Sequence, residues 1–210
     1  MRRGCSSGTS PRSLAGPPHP LVLASGSPQR RAILQRVGVP FTVRVPEVEE
    51  RQQGEAVELT LENALAKALA VQRPGLQETV LGCDTVVELE GRIFGKPADA
   101  VQAELMLRTL AGRTHHVVSG LVVLDGTGQR RVHARTEVCF RELDEPMLRW
   151  YVDLGEWRGR AGGYAIQGAG SALVRRIGGD YENVVGLPLA SLLDICPELL
   201  GGGAAGAPRR

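Results

Sequence analysis

The feature that most constrains this fold is a short apolar run followed at once by a helix start. Residues 21–24 (LVLA) are apolar and partly branched, which predicts a buried strand. Ser27 and Pro28 then supply an N-cap and a first-turn proline, so a helix begins here, and it should end at Gly38. A strand that leads directly into a helix is the first unit of an α/β fold.

The first turn of that helix is basic. Arg30 and Arg31 stand at the positive end of the helix dipole, where a cation costs about 0.3–1 kcal/mol. An anion held by the helix amides, the hydroxyls of Ser25 and Ser27 and an arginine fork would make this arrangement favourable. A phosphate site is therefore one interpretation of this stretch, and a solvated basic helix start is the other.

The composition narrows the range of partners. The 210 residues are 42% hydrophobic, which is enough for one well-buried α/β domain. The net charge is only +2 and the arginines are spread along the chain, so neither nucleic acid nor a membrane surface is expected as a partner. Aromatic residues make up 4%, fewer than base-stacking platforms need. An anionic small molecule requires only a local cluster of cations.

The cysteines and histidines do not form a metal-binding pattern. The four cysteines lie far apart, which indicates a reducing compartment, and we expect a cytoplasmic protein. The histidines lack the spacing of a zinc site, although His115 is a candidate for the edge of a cleft. We expect residues 1–20 to be a disordered extension, 21–197 the folded domain and 198–210 a flexible tail.

Amphipathic patterns predict helices over residues 58–71 and 98–110, with further helices over 144–154 and 189–195. Lys67 lies off the apolar stripe of the first helix, where a surface lysine is the default interpretation. Strands alternate with helices but also form hairpins, so the sheet should be mixed. The residues expected to face the core are Leu61, Leu65, Ala68 and Leu69 in the first helix and Leu105, Leu107 and Leu110 in the second.

The least ordinary acid is Asp84, which stands inside the apolar strand predicted over residues 79–89. A carboxylate in such a strand is costly to bury unless it is paired or holds a cation. A two-residue hairpin turn at 90–91 would bring Lys96 opposite Thr85. Strict alternation would send Asp84 to the other face, so we expect a strand irregularity just before it. An aspartate and a lysine that converge in this way suit a metal-bound phosphate.

Two irregular stretches hold further polar candidates. Residues 46–50 carry three carboxylates, which is typical of a solvated loop, unless Glu49 or Glu50 faces a cleft. The glycine-rich stretch 160–170 contains Gln167, whose amide donates and accepts at once, as the edge of uracil or thymine does. An irregular strand pair with an internally bonded Gln167 is the alternative.

Seven short motifs follow one another along residues 21–197: LASGSPQRR at 23–31, EE at 49–50, KA at 67–68, GCDT at 82–85, GKP at 95–97, GRTH at 112–115 and GYAIQG at 163–168. In this order and spacing they resemble the Maf family of nucleoside triphosphate pyrophosphatases. The resemblance implies an α/β fold with a mixed twisted sheet, flanking helices and two lobes around a deep cleft, related to inosine triphosphatase. It also implies hydrolysis of a nucleoside triphosphate to monophosphate and pyrophosphate with Mg²⁺ or Mn²⁺, often by a homodimer.

The resemblance implies roles for individual residues. Asp84 matches the acid that accepts a proton from water, and together with Glu50 it would hold the metal. Thr85 and Gln167 match positions tied to the choice of base. The residues that would hold the phosphates are Ser25, Ser27, Arg30, Lys67 and Lys96, with Gln29 in the same substrate-binding stretch.

One position departs from the family pattern. Relatives selective for dTTP and UTP usually read Ser-Pro-Arg-Arg, whereas Gln29 stands here in place of the first arginine, so only Arg30 aligns. This weakens the transfer of pyrimidine specificity, and a broader substrate range is open. Gln167 still favours dTTP and UTP over the methylated-guanosine branch of the family.

Two other functions compete with the enzyme. A non-catalytic nucleotide-binding regulator of septum formation is one, but Asp84, Glu50 and both lysines are more than a binder requires. A polynucleotide-binding protein is the other, and the mild net charge argues against the salt-dependent affinity that it would need.

Overall fold

The computed structural model describes residues 19–200, which build one open seven-stranded sheet with helices packed against it. The strands are β1 (Leu21–Ala24), β2 (Phe41–Val43), β3 (Thr79–Leu89), β4 (Arg92–Phe94), β5 (Thr114–Asp125), β6 (Gly128–Phe140) and β7 (Val174–Gly178). The helices are α1 (Pro28–Arg36), α2 (Ala56–Val71), α3 (Ala100–Leu110), α4 (Glu145–Leu154), α5 (Tyr181–Val185) and α6 (Leu189–Ile195). The strand order is β2-β1-β3-β5-β6-β7, with β4 paired to β3. The predicted mixed α/β architecture is confirmed.

The sheet is mixed because its two halves are connected differently. β1 pairs in parallel with both β2 and β3, and α1 and α2 lie in the connections between these strands. β3, β5, β6 and β7 pair antiparallel through their hairpins and longer connections. The predicted turn after Leu89 is present: Glu90 and Gly91 have φ values of 53° and 78°, as a two-residue hairpin requires, and Leu89 pairs with Arg92.

α2 lies close to the sheet because β3 and β5 present glycines beneath it. A Cβ on Gly82 would lie 2.0 Å from the backbone oxygen of Ala64, and one on Gly120 would lie 2.5 Å from the carbonyl carbon of Thr60. Only a residue without a side chain permits this approach. The close packing brings the sheet-facing side chains of α2 against the middle of β3.

The buried face of α2 differs from the predicted one. Lys67 is 5% exposed whereas Leu69 is 53% exposed, and Leu61 and Leu65 are only half-buried, so Ala68 alone of the four predicted residues is buried. Where α2 crosses Gly82 and Gly120, its inner face carries Thr60, Ala64 and Ala68, which fit the narrow gap. The interpretation of Lys67 as a surface lysine is therefore wrong.

The buried face of the second predicted helix, α3, also differs in part from the predicted one. Leu107 and Leu110 of α3 are buried as expected, but Leu105 is 59% exposed. β7 was not predicted at all, and the glycine-rich stretch forms 3₁₀ turns at Ala161–Gly163 and Ala169–Leu173 rather than a strand pair.

At the carboxyl end, the packed chain continues past residue 197. Pro197–Leu200 forms a 3₁₀ turn, and Leu199 is 2% exposed within the core, so residues 198–200, which were predicted to belong to the tail, pack with the folded domain. The predicted extension up to residue 18 and residues 201–210 lie outside the described part of the chain.

Two hydrophobic clusters give the molecule its two lobes. One joins α3 and α4 to the sheet through residues such as Leu107, Tyr151 and Phe140, and the other joins α1 and α6 to the sheet through Leu34 and Leu192. The cleft opens between the elements of these two clusters. Among the described helices, none has the length and apolar character that a bilayer span requires.

Candidate active site

A cavity of about 420 Å³ lies along an open edge of β3. β1 ends at Ala24, opposite Gly82, and β4 begins to pair only at Val87, so the edge of β3 between these points has no neighbouring strand. Side chains from both faces of β3 reach the cavity through this gap. The structure brings every predicted site residue to the cavity wall, namely Ser25, Ser27, Gln29, Arg30, Glu50, Lys67, Asp84, Thr85, Lys96 and Gln167.

Asp84 is the centre of the polar part of the cavity and is 5% exposed. Its Oδ1 accepts a hydrogen bond from Lys67 Nζ at 2.6 Å, and its Oδ2 accepts one from Asn63 Nδ2 at 2.9 Å. The same ammonium group lies 3.0 Å from Glu50 Oε1. One lysine therefore neutralises the buried acid and links it to a second carboxylate, which is why a charged group is tolerated in this apolar strand.

The strand that carries Asp84 is regular. β3 pairs with β5 from Val80 to Glu88 without a register shift, so the predicted irregularity before Asp84 is wrong. Asp84 and Thr85 point to opposite faces, as strand alternation dictates. Lys96 lies past the end of β4 and is exposed on the same cavity wall.

The turn between β1 and α1 is held by its own hydroxyl groups. Ser27 caps α1, since its Oγ accepts from the Arg30 backbone N–H at 3.4 Å, as predicted. Ser25 Oγ accepts from the Ser27 N–H at 3.1 Å, and the Ser27 hydroxyl donates to Gln29 Oε1 at 3.1 Å. These three hydrogen bonds within the loop fix its shape around the first amides of α1.

Arg30 is built into the protein rather than spread on its surface. It is 8% exposed, and its Nε donates to the Gly186 carbonyl at 2.8 Å. Its terminal nitrogens donate to Ser25 Oγ and Thr85 Oγ1, each at 3.1 Å. These bonds use three of the five guanidinium N–H groups and leave two for a ligand. Arg31 donates instead to the Gly26 carbonyl.

The far wall of the cavity combines apolar surface with positive charge. Val87, Val117 and Tyr164 contribute apolar surface, and Gln167 is exposed on the wall beside them. Around the whole cavity, five basic side chains accompany two carboxylates, so the cavity favours a polyanion. The basic residues are Arg30, Lys67, Lys96, Arg158 and Arg160, and the acidic ones are Glu50 and Asp84.

His115 lies behind this wall and not at the cleft edge where it was predicted. It is 0% exposed, and its Nε2 lies 2.9 Å from the Tyr164 hydroxyl. Burial lowers the pKa of His115 from 6.5 to about 4 and raises the pKa of Tyr164, so both side chains are neutral near pH 7. His115 therefore supports the wall through Tyr164.

Several residues of the site were not predicted from the sequence. Asn63 stands one helical turn before Lys67, and this i, i+4 spacing would have placed both on one face had Lys67 been recognised as buried. Ser119, whose Oγ lies 2.8 Å from Thr85 Oγ1, and the arginines at 158 and 160 carried no signal that separates them from surface residues.

The two cavity carboxylates fit a divalent cation that also binds phosphate. Within residues 19–200 no group of three His, Cys, Asp or Glu side chains converges, so Glu50 and Asp84 are the donor pair that the cavity offers. Mg²⁺ commonly binds through one or two carboxylates and completes its shell with water and substrate phosphates. Glu50 Oε1 and Asp84 Oδ1 both contact the Lys67 ammonium, so their oxygens already converge on a cation.

An open mixed sheet with a cation-rich cleft, one carboxylate on the open edge of β3 and a second on a neighbouring loop is the arrangement of α/β proteins that bind phosphorylated small molecules. Within that class, the chain belongs to the Maf-like protein family, whose model matches residues 20–199.

Named relatives cover most of the chain. A dTTP/UTP pyrophosphatase of Symbiobacterium thermophilum is 46% identical over 80% of this chain and 88% of its own length. The proteins of the same name from Akkermansia muciniphila and Pyrococcus furiosus are 43% and 41% identical, each over 83% of this chain and 93% of their own length.

Proposed function

We propose that this protein hydrolyses nucleoside triphosphates to nucleoside monophosphate and pyrophosphate, with dTTP and UTP as preferred substrates. The observation that carries the proposal is that Asp84, Lys67 and Glu50 contact one another in the same cavity that Arg30 and Gln167 line. The relatives named dTTP/UTP pyrophosphatase support the choice of reaction and of base.

Asp84 is the proposed general base. Each of its oxygens accepts one hydrogen bond, from Lys67 or Asn63, and keeps a further lone pair for water. Asp84 orients the water and takes its proton as the oxygen attacks the α-phosphorus. The bond from the α-phosphorus to the oxygen bridging the β-phosphorus breaks, and pyrophosphate leaves with that oxygen.

The cations and amides of the cleft bind the triphosphate. Lys67, Lys96 and the two remaining N–H groups of Arg30 offset the charge on the phosphates, while the start of α1 with Ser25 and Ser27 binds phosphate oxygens. Glu50 and Asp84 would hold Mg²⁺ or Mn²⁺, which when bound neutralises phosphate oxygens and makes water more acidic.

Gln167 is the proposed reader of the pyrimidine edge, because its amide can donate to one carbonyl and accept from the ring N–H. The Thr85 hydroxyl is bonded to Arg30 and Ser119. We therefore expect any effect of Thr85 on base choice to act through the position of Arg30.

The test is a panel of nucleotides, including dTTP, UTP, CTP, GTP and 7-methyl-GTP, with Mg²⁺ or Mn²⁺ and a coupled pyrophosphate assay. We expect the fastest release from dTTP and UTP, and Asp84→Asn should lower kcat by at least about 10²-fold with the fold retained. Asp153→Asn, an exposed acid on α4, is the matched control and should keep wild-type turnover.

Three results would change the proposal. Nucleotide binding without pyrophosphate release would leave the non-catalytic regulator, and near-normal turnover of Asp84→Asn would remove Asp84 from the mechanism. A faster reaction with another base would replace dTTP and UTP. The homodimer implied by the resemblance stays a prediction, which light scattering of the purified protein tests.

A further inference from the structure

Asn63 lies between the proposed general base and the loop that carries Glu50. It is 3% exposed on the inner face of α2. Its Nδ2 donates to Asp84 Oδ2 at 2.9 Å and to the Arg51 carbonyl at 3.0 Å, and its Oδ1 accepts from the Arg51 backbone N–H at 2.9 Å. The amide orientation follows from its partners, since two oxygens face Nδ2 and an N–H faces Oδ1.

Both N–H groups of the Asn63 side chain donate hydrogen bonds, so its orientation is fixed. We call Asn63 a clamp because it joins Asp84 to the Arg51 backbone. Lys67, one turn later on the same face, holds Asp84 Oδ1, while Asn63 holds Oδ2. Together they fix both the position of the Asp84 carboxylate and the rotation of its plane. A lysine alone, with three freely rotating donors, would fix only the position.

The other arm of the clamp fixes Glu50. Arg51 follows Glu50 directly, and two hydrogen bonds hold the Arg51 backbone to α2, one donated by Asn63 Nδ2 and one accepted by its Oδ1. The loop that contains Glu50 has no helix or strand of its own, and Glu50 Oε1 nevertheless reaches Lys67 Nζ at 3.0 Å. Because Arg51 is next to Glu50 in the chain, fixing the Arg51 backbone limits the positions that the Glu50 side chain can reach.

We infer that Asn63 is a positioning residue that holds Asp84 and Glu50 in the mutual arrangement needed for metal binding and water activation. The inference rests on the proposed function. It goes beyond that function because Asn63 contacts Asp84 and the backbone next to Glu50, and it does not line the cavity that would hold the phosphates and the base.

The experiment compares Asn63→Ala with Asn63→Leu. Both remove the hydrogen bonds to Asp84 and to the Arg51 backbone, but leucine refills the volume, so the pair separates the loss of those bonds from the cavity that alanine leaves. Thr60→Val is the control, because Thr60 is also buried on α2 and its hydroxyl bonds only to the Ala56 and Val57 carbonyls. Circular dichroism and melting curves verify that each variant is folded.

Three readouts separate positioning from simple support of the fold. Binding of Mn²⁺ alone, measured by electron paramagnetic resonance without nucleotide, should weaken about 10-fold in both Asn63 variants, the usual effect of removing a residue that orients metal ligands. The kcat for pyrophosphate release should fall by about 10- to 100-fold. The nucleotide KM should stay within about threefold, because the phosphate-binding residues are untouched. Thr60→Val should match the wild type in all three.

The contrary results are distinct. Wild-type Mn²⁺ affinity and kcat in Asn63→Leu would overturn the inference and leave the proposed function standing, since the residue would then only fill space. A wild-type protein that releases no pyrophosphate from any nucleotide would overturn the proposed function, and the inference with it.

Discussion

Replacing Gly82 by alanine should push α2 off the sheet and separate the two halves of the site. The added Cβ would lie 2.0 Å from the Ala64 backbone oxygen and 3.0 Å from the Ala68 Cβ. Because the clash is with helix backbone, no side-chain rotation relieves it. Ordinary carbon contacts lie at about 3.5 Å, so α2 must retreat by about 1 Å or more.

The size of the effect follows from that displacement. Overpacking of this kind costs about 1–3 kcal/mol, which for a chain of this length lowers the Tm by about 3–10 °C. The retreat also draws Lys67 and Asn63 away from Asp84, whose contacts with them are 2.6 and 2.9 Å. A misplacement of about 1 Å in a catalytic group lowers kcat by about 10²-fold.

The assay is differential scanning fluorimetry together with pyrophosphate release from dTTP. Gly126→Ala is the matched control, because a Cβ at that position in the turn between β5 and β6 meets no atom within 4 Å. It should melt and turn over as the wild type does. Gly82→Ala with an unchanged Tm would refute the close-packing argument, and an unchanged kcat with a lowered Tm would refute its link to the site.

Two further predictions concern buried titratable side chains. Lys67→Met leaves the carboxylates of Glu50 and Asp84 without their shared cation. Because loss of one partner of a buried ion pair costs about 3–5 kcal/mol, the Tm at pH 7 should fall by about 10 °C. Lys96→Met, on the same cavity but exposed, should not lower it, and an equal fall in both variants would contradict this account. Burial lowers the pKa of His115 from 6.5 to about 4, so the unfolded chain binds the proton more readily, and stability present above pH 6.5 is lost as the pH falls toward 4. That loss amounts to about 2 kcal/mol by pH 5. Urea titrations at pH 7 and 5 should show a smaller loss in His115→Gln than in the wild type or in the exposed control His133→Gln, and identical losses in all three would exclude His115 as the cause.

The alternation of strands and helices could be predicted from the sequence because the signals are local. The apolar run before Ser27, the cap at Ser27 and the hairpin turn after Leu89 each depend on a few adjacent residues. Asp84 could be recognised for the same reason, since a carboxylate inside an apolar strand needs a partner wherever that partner lies.

The inner face of α2 could not be predicted in this way. The leucines of the helix suggested one face, whereas Gly82 and Gly120, on two distant strands, decide which face fits against the sheet. That choice buries Lys67 and Asn63 and depends on tertiary packing alone. β7 was missed for a related reason, because its half-buried and exposed residues show no apolar alternation and its pairing comes from β6.

The bond from the Arg30 guanidinium to the Gly186 carbonyl spans 156 positions of the chain. A ribosome makes Arg30 early, but the carbonyl that orients it is added only 156 residues later. Until then the nascent polypeptide carries every acid and lysine of the pocket without the contact that closes it. A messenger RNA that ends before codon 186 would therefore yield a chain that carries these acids and lysines but lacks the carbonyl that orients Arg30 in the cleft.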